Sequence, residues 1–131
     1  NMFGVEAGLA LSKVIPAFVG LKEIYLSYLN LEDDGAEALA NALKESTPSL
    51  EILDMAGNDI TAKAAVSVAA HISSKQFLTK LNLSENELKD EAGLALSKVI
   101  PAFVGLKEIY LSYLNLEDDG AEALANALKE S

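Results

Sequence analysis

A chain of 131 residues, half of them hydrophobic, has the length of one domain and the composition of a packed protein, not of a disordered acidic tail. Its ten Lys and no Arg stand against 20 acids, and the formal charge of −10 argues against nucleic-acid backbones and anionic membranes. The absence of Cys removes disulfides, thiolate catalysis and Cys-ligated zinc, and the lone His71 leaves no His pair for a metal. No apolar run approaches the ~18–20 residues of a membrane helix. The opening Asn-Met-Phe-Gly-Val-Glu lacks a basic, apolar leader, so a reducing, cytoplasmic setting is expected.

The chain opens on Asn1-Met2-Phe3, the tail of a repeat, and residues 1–20 read as a partial first repeat. There Leu11, Val14, Ile15 and Phe18 recur at helical spacing, in a helix that Pro16 should end or kink. A full copy of the pattern L-x-x-L-x-L-x-x-N-x-L follows at Leu21–Leu31 (LKEIYLSYLNL). Behind it Asp33 or Asp34 should cap a helix carrying Ala36, Leu39, Ala40 and Leu43, with Pro48 in the returning loop. The second copy, Leu50–Ile60 (LEILDMAGNDI), leads through Thr61 as N-cap to Ala65, Val68, Ala69 and Ile72. The third, Leu78–Leu88 (LTKLNLSENEL), leads through Asp90 to Leu96, Val99, Ile100 and Phe103, again interrupted by a proline, Pro101. The fourth, Leu106–Leu116, precedes Ala121, Leu124, Ala125 and Leu128. Repeats therefore start at 21, 50, 78 and 106.

Within each copy, motif positions 4 and 6 alternate as the inward side chains of a short strand: Ile24/Leu26, Leu53/Met55, Leu81/Leu83 and Ile109/Leu111. Position 9 favours Asn, whose amide can bond the backbone of neighbouring turns as a ladder; Asn58 and Asn86 stand there, and Asn1 by extrapolation. Leu29 and Leu114 replace it in the other copies, which should have altered turns. A strand, a turn and a helix repeated in this way stack into an α/β solenoid, a curved horseshoe with parallel strands inside and helices outside, as one domain over residues 1–131.

Residues 6–46 and 91–131 are identical at all 41 positions. Natural copies drift, so this identity points to an engineered or rearranged repeat scaffold. No capping repeat is visible, so both ends should expose apolar core and favour association of the chain with itself, as rings or filaments.

The 28/29 alternation, with N-x-x-G-x-E-A-G and N-x-L-x-D-E-A-G turns, resembles ribonuclease-inhibitor-type leucine-rich repeats. The runs YLSYLNLEDDGAEAL, LDMAGNDITAKAA and LNLSENELKDEAG are similar to the leucine-rich domain of plant Ran GTPase-activating proteins. That resemblance implies a Ran-type GTPase as partner and acceleration of its GTP hydrolysis without an arginine finger. It also implies reliance on an Asn within a run like H-N-N-x-x-G. No such run occurs here, and Asn1, Asn58 and Asn86 sit at the ladder position. The family's nuclear-envelope targeting domain and acidic tail have no counterpart in these residues.

Solenoids bind through the concave strand face and its turns. The outward positions offer Glu23, Tyr25, Tyr28, Asp54, Lys80, Asn82, Glu85, Tyr110 and Tyr113 as a partner surface, with Tyr favoured at such sites. The alternative is an ordinary solvated sheet face. Glu32-Asp33-Asp34 lacks the ligand spacing of a calcium loop, and His71 reads as a helix-surface residue. No Ser has a nearby base or the nucleophile elbow, and no glycine-rich phosphate loop occurs, so neither catalysis nor cofactor is expected. The readings are a repeat scaffold, a Ran-binding regulatory fragment, or a general protein-interaction module.

Overall fold

The computed structural model describes residues 2–112, 114 and 116–130. Its strands are β1 (Glu23–Tyr25), β2 (Ile52–Asp54), β3 (Lys80–Asn82) and β4 (Glu108–Tyr110), each covering motif positions 3 to 5. They form one parallel sheet in chain order, and Ile24, Leu53, Leu81 and Ile109 lie in register across it. Parallel neighbours require a crossover, and here each crossover holds a helix. The helices are α1 (Met2–Val14), α2 (Glu32–Ser46), α3 (Ala62–Ile72), α4 (Lys89–Val99) and α5 (Asp118–Glu130), each packed on the next. The fold is the α/β leucine-rich solenoid that the periodicity implies.

The core runs between the sheet and the helix row. Leu53, Met55, Leu81 and Leu83 are at most 1% exposed, whereas Ile24 and Ile109, on the outer strands, are half-buried. Ala36, Leu39, Ala40 and Leu43 of α2 are all fully buried, because α2 has α1 on one side and α3 on the other. Small residues set the helix spacing. A Cβ on Gly8 would lie 2.8 Å from the Gly35 Cα, and one on Gly93 would lie 2.7 Å from the Gly120 Cα. The missing side chains let α1 approach α2, and α4 approach α5, closely.

Proline acts where its chemistry demands. α1 ends at Val14 and α4 at Val99, and the chain tightens into 3-10 turns, Ile15–Ala17 and Ile100–Ala102, that contain Pro16 and Pro101. The capping expectations need correction. α2 begins at Glu32 and α4 at Lys89, so Asp33, Asp34 and Asp90 lie inside the first turns and the capping positions fall on Leu31 and Leu88. Those leucines are the last motif positions and are at most 1% exposed, and the residue after each, Glu32 at φ +56° and Lys89 at φ +59°, enters the helix through a left-handed backbone. Thr61 is the N-cap of α3, yet its side chain makes no cap bond to its own helix. Its amide and hydroxyl instead donate to the two oxygens of Asp33, at 2.8 and 2.5 Å. A carboxylate of one repeat thus anchors the helix start of the next. Lys75 makes a reciprocal stitch, its ammonium donating to the Lys44 carbonyl at the end of α2 (3.1 Å). Among the described residues no helix is long and apolar enough to cross a membrane.

Candidate functional site: the concave face

The strand register converts motif positions into rows. Position 3 supplies Glu23, Ile52, Lys80 and Glu108; position 5 supplies Tyr25, Asp54, Asn82 and Tyr110. Because alternate residues face opposite sides of a strand, both rows point away from the inward Ile24–Leu53–Leu81–Ile109 row. Neighbouring strands lie about 4.8 Å apart, which sets Tyr25 and Tyr110 about 14 Å apart across the face. Between them is a depression of about 230 Å³ lined by Tyr25, Ile52, Leu53, Asp54, Lys80, Asn82 and Tyr110.

The tyrosines are surface residues: Tyr25, Tyr28 and Tyr110 are 59%, 63% and 42% exposed. Each hydroxyl is held by a carboxylate. Tyr25 donates to Glu23 at 2.8 Å, Tyr110 to Glu108 at 2.7 Å, and Tyr28 to Glu85 of the repeat two places on. These bonds raise all three hydroxyl pKa values above the ordinary 10.0, with lesser contributions from partial burial and nearby negative charge. For both Tyr25 and Tyr28 that charge includes Asp54. The hydroxyls therefore stay protonated and suit recognition, not nucleophilic chemistry. Lys80 lies 3.9 Å from the Glu108 carboxylate and 5.8 Å from the centre of the Tyr110 ring. Asp54 and Asn82 each accept a bond, at 3.0 Å, from the backbone N–H two residues on (Ala56 and Ser84), which fixes their side chains at the strand ends.

Tyr28 owes its position to the turn. Motif position 8 is left-handed throughout the first three copies, at φ +57° for Tyr28, +66° for Gly57 and +59° for Glu85. Only Gly57 signals this in the sequence; Tyr28 and Glu85 adopt it against the usual steric preference. A Cβ on Gly57 would come within 2.3 Å of Tyr28 ring carbons, so the ring rests directly on that glycine. Sequence reasoning placed Tyr28 on this face but did not foresee its dependence on Gly57.

Asn58 and Asn86 lie behind the face, 0% and 2% exposed. The Asn58 carbonyl oxygen accepts from Leu29 N and Leu31 N, at 3.0 and 3.2 Å. Its NH2 donates to the carbonyls of Leu26, Met55 and Ala56. Asn86 repeats this one repeat later, accepting from Asn58 N and Ile60 N and donating to Met55, Leu83 and Ser84. The identical turns diverge: Leu29 is 40% exposed, whereas Leu114 is 2% exposed. His71, in the last turn of α3, has Nδ1 2.7 Å from the Ser67 carbonyl. Asn1, Tyr113 and the side chain of Asp90 fall outside the described residues.

Comparison with known proteins supports the repeat fold. The family described as Leucine Rich repeat matches residues 47–69 and 74–97. RAN GTPase-activating protein 2 of Arabidopsis thaliana is 52% identical over 103 residues, covering 78% of this chain and 19% of that protein. The ribonuclease inhibitor of Mus musculus is 32% identical over 120 residues, covering 90% of this chain and 26% of the inhibitor. The chain thus spans about a quarter or less of the length of these curated relatives. Leiomodin-1 Actin-Binding Site 2 superposes with a TM-score of 0.79 over 95% of this chain and 71% of that one; at 17% identity the likeness concerns the fold alone. Motif, fold and relatives agree that this is a leucine-rich-repeat chain, similar in sequence to plant RAN GTPase-activating proteins.

Proposed function

We propose that the chain is a protein-recognition module that engages a Ran-type GTPase through its concave face and contributes no catalytic group of its own. The observation that carries this reading is the pair of in-register rows on an exposed face, Tyr25–Asp54–Asn82–Tyr110 beside Glu23–Ile52–Lys80–Glu108. Exposed tyrosines braced by carboxylates present large rigid contact area at low entropic cost. The 52% identity to a RAN GTPase-activating protein supplies the partner class. The absence of Arg from the chain leaves no arginine finger to be supplied from it.

Two measurements on purified Ran test this. Calorimetric titration should show binding that Tyr25→Ala and Tyr110→Ala weaken without altering the circular-dichroism spectrum. Single-turnover GTP hydrolysis should proceed at the same rate with and without the chain. Absence of binding by the folded protein would overturn the partner; acceleration would overturn the non-catalytic role.

A second reading is a repeat scaffold that associates with itself. It is favoured by the 41-residue identity and by apolar side chains left exposed on the outer elements, Phe18 at 56%, Val19 at 80%, Val104 at 72% and Leu128 at 42%. Light-scattering mass rising with concentration would support it; a constant 13.9 kDa would refute it.

A further inference from the structure

The loops that lead from each helix into the next strand differ in charge from the rest of the molecule. The strands are parallel, so residues 13–22, 44–51, 73–79 and 98–107 gather along one edge, at the C-terminal ends of the helices. These segments hold six lysines (Lys13, Lys22, Lys44, Lys75, Lys98 and Lys107) and two acids, Glu45 and Glu51; six less two gives +4, within a chain of −10. The lysines more than offset the partial charge of about −0.5 that each helix C-terminus brings to the edge. Acids gather at the opposite edge, in the first turns of α2 and α5 and at Asp59, Glu85 and Glu87. The net charge that argues against anionic membranes therefore does not describe this side of the molecule.

Apolar side chains project from the same loops: Val19, Val104, Phe18 and Phe77 are 80%, 72%, 56% and 54% exposed. This exposure is not confined to the outer repeats. Phe77 sits in the third loop, with a neighbouring loop on either side, and Pro48 and Gln76, the inner counterparts of Val19 and Val104, are exposed as well. The edge is preformed. The Lys107 N–H donates to the Thr79 carbonyl at 2.8 Å, Thr79 N–H to Glu51 at 2.9 Å and Glu51 N–H to Lys22 at 2.7 Å, and all three prolines stiffen these segments. Separate apolar tips set among lysines along one edge suit a surface that yields around each tip and carries negative charge. We propose that this edge docks on a bilayer containing anionic phospholipid, with Phe18, Val19, Phe77 and Val104 entering the headgroup region and Lys22 and Lys107 meeting the lipid charges. Side chains of the concave face stand perpendicular to the strands, so the tyrosine rows stay open to a protein partner.

The chain has no Trp, so Phe77→Trp places a single reporter on this edge and Tyr28→Trp one on the concave face. Each full-chain variant, its fold checked by circular dichroism, is titrated with vesicles of phosphatidylcholine, alone or mixed with phosphatidylserine. Co-sedimentation of the unsubstituted chain measures binding without a reporter. On mixed vesicles the Phe77→Trp emission should shift to the blue and be quenched by brominated lipid, while that of Tyr28→Trp does not move. The shift should fade as salt is raised. Lys22→Gln with Lys107→Gln should weaken binding about thirtyfold, and Val19→Glu with Val104→Glu should abolish it. Absence of shift and sedimentation in folded protein, or equal binding to phosphatidylcholine alone, would overturn the proposal. So would the same shift on adding polyglutamate, which would point to an acidic protein as the occupant. A blue-shifted reporter with light-scattering mass rising in the absence of lipid would overturn it too, by showing a second copy on this edge.

Discussion

Asn58→Ala probes the bond network that joins the repeats. The amide makes five bonds, but its loss would not strand five groups. The Ala56 carbonyl still accepts from Tyr28 N at 2.9 Å, and the Met55 carbonyl still accepts from the Asn86 amide at 3.1 Å. Leu29 N lies beside a residue 40% exposed, where water can replace the amide. Leu31 N, in a residue 0% exposed, and the Leu26 carbonyl, in one 5% exposed, lose their amide partner. Two buried polar groups at ~1–3 kcal/mol each make the expected cost about 3–5 kcal/mol, a large share of a typical domain's ~5–15 kcal/mol. In urea unfolding followed by circular dichroism, the midpoint should fall by about 2 M at a slope near ~2 kcal/mol/M, with the slope unchanged. Asn86→Ala should cost a similar amount. The double variant should be non-additive by ~0.5–3 kcal/mol, because the Asn86 side chain also holds the Asn58 N–H at 2.9 Å. A cost for Asn58→Ala below about 1 kcal/mol would show that solvent or a rearranged turn serves those groups as well, and the reasoning would be refuted.

Gly93→Ala should destabilise by ~1–3 kcal/mol, since its Cβ would meet the Gly120 Cα at 2.7 Å. Gly20→Ala, with nothing within 4 Å, should stay within ~0.5 kcal/mol, and thermal melts distinguish the two. Asp33→Ala removes both bonds to Thr61 and should cost ~0.5–2 kcal/mol, whereas Asp34→Ala should cost less; equal losses would deny the link between repeats. The tyrosine hydroxyls give a pH signature. Their folded pKa values are raised above 10.0, so this contribution to stability is complete below about pH 10 and is lost as pH climbs through the higher folded values. Absorbance titration should show Tyr25 ionising later than free tyrosine, and Glu23→Gln should bring it back down.

The motif spacing marks a short strand in each copy with positions 4 and 6 inward, and the structure places that strand at positions 3 to 5, so position 6 lies just past its end. The rows of the concave face follow from the same register, so Tyr25, Asp54, Asn82 and Tyr110 were legible as neighbours before any coordinates. Helix starts were less legible. Asp33 and Asp34 have the chemistry of N-caps, but the helices are entered at Leu31 and Leu88 through left-handed Glu32 and Lys89, and Asp33 turned to the next repeat instead. The left-handed turns at Tyr28 and Glu85 carry no glycine to announce them.

The two copies of the 41-residue segment separate local from tertiary causes. Their shared residues were enough to make the same strand and closely similar helices in each, since period and backbone preference are properties of neighbours along the chain. Surroundings are not. Ala36 and Leu43 are fully buried between two helices, while their counterparts Ala121 and Leu128 on α5 are exposed, Leu128 by 42%. Tyr110 has Lys80 over its ring, and its twin Tyr25 faces Asp54 across the sheet. In a solenoid each repeat borrows its partners from the adjacent repeats, so the core and the anchored helix start were decided only when the repeats stacked.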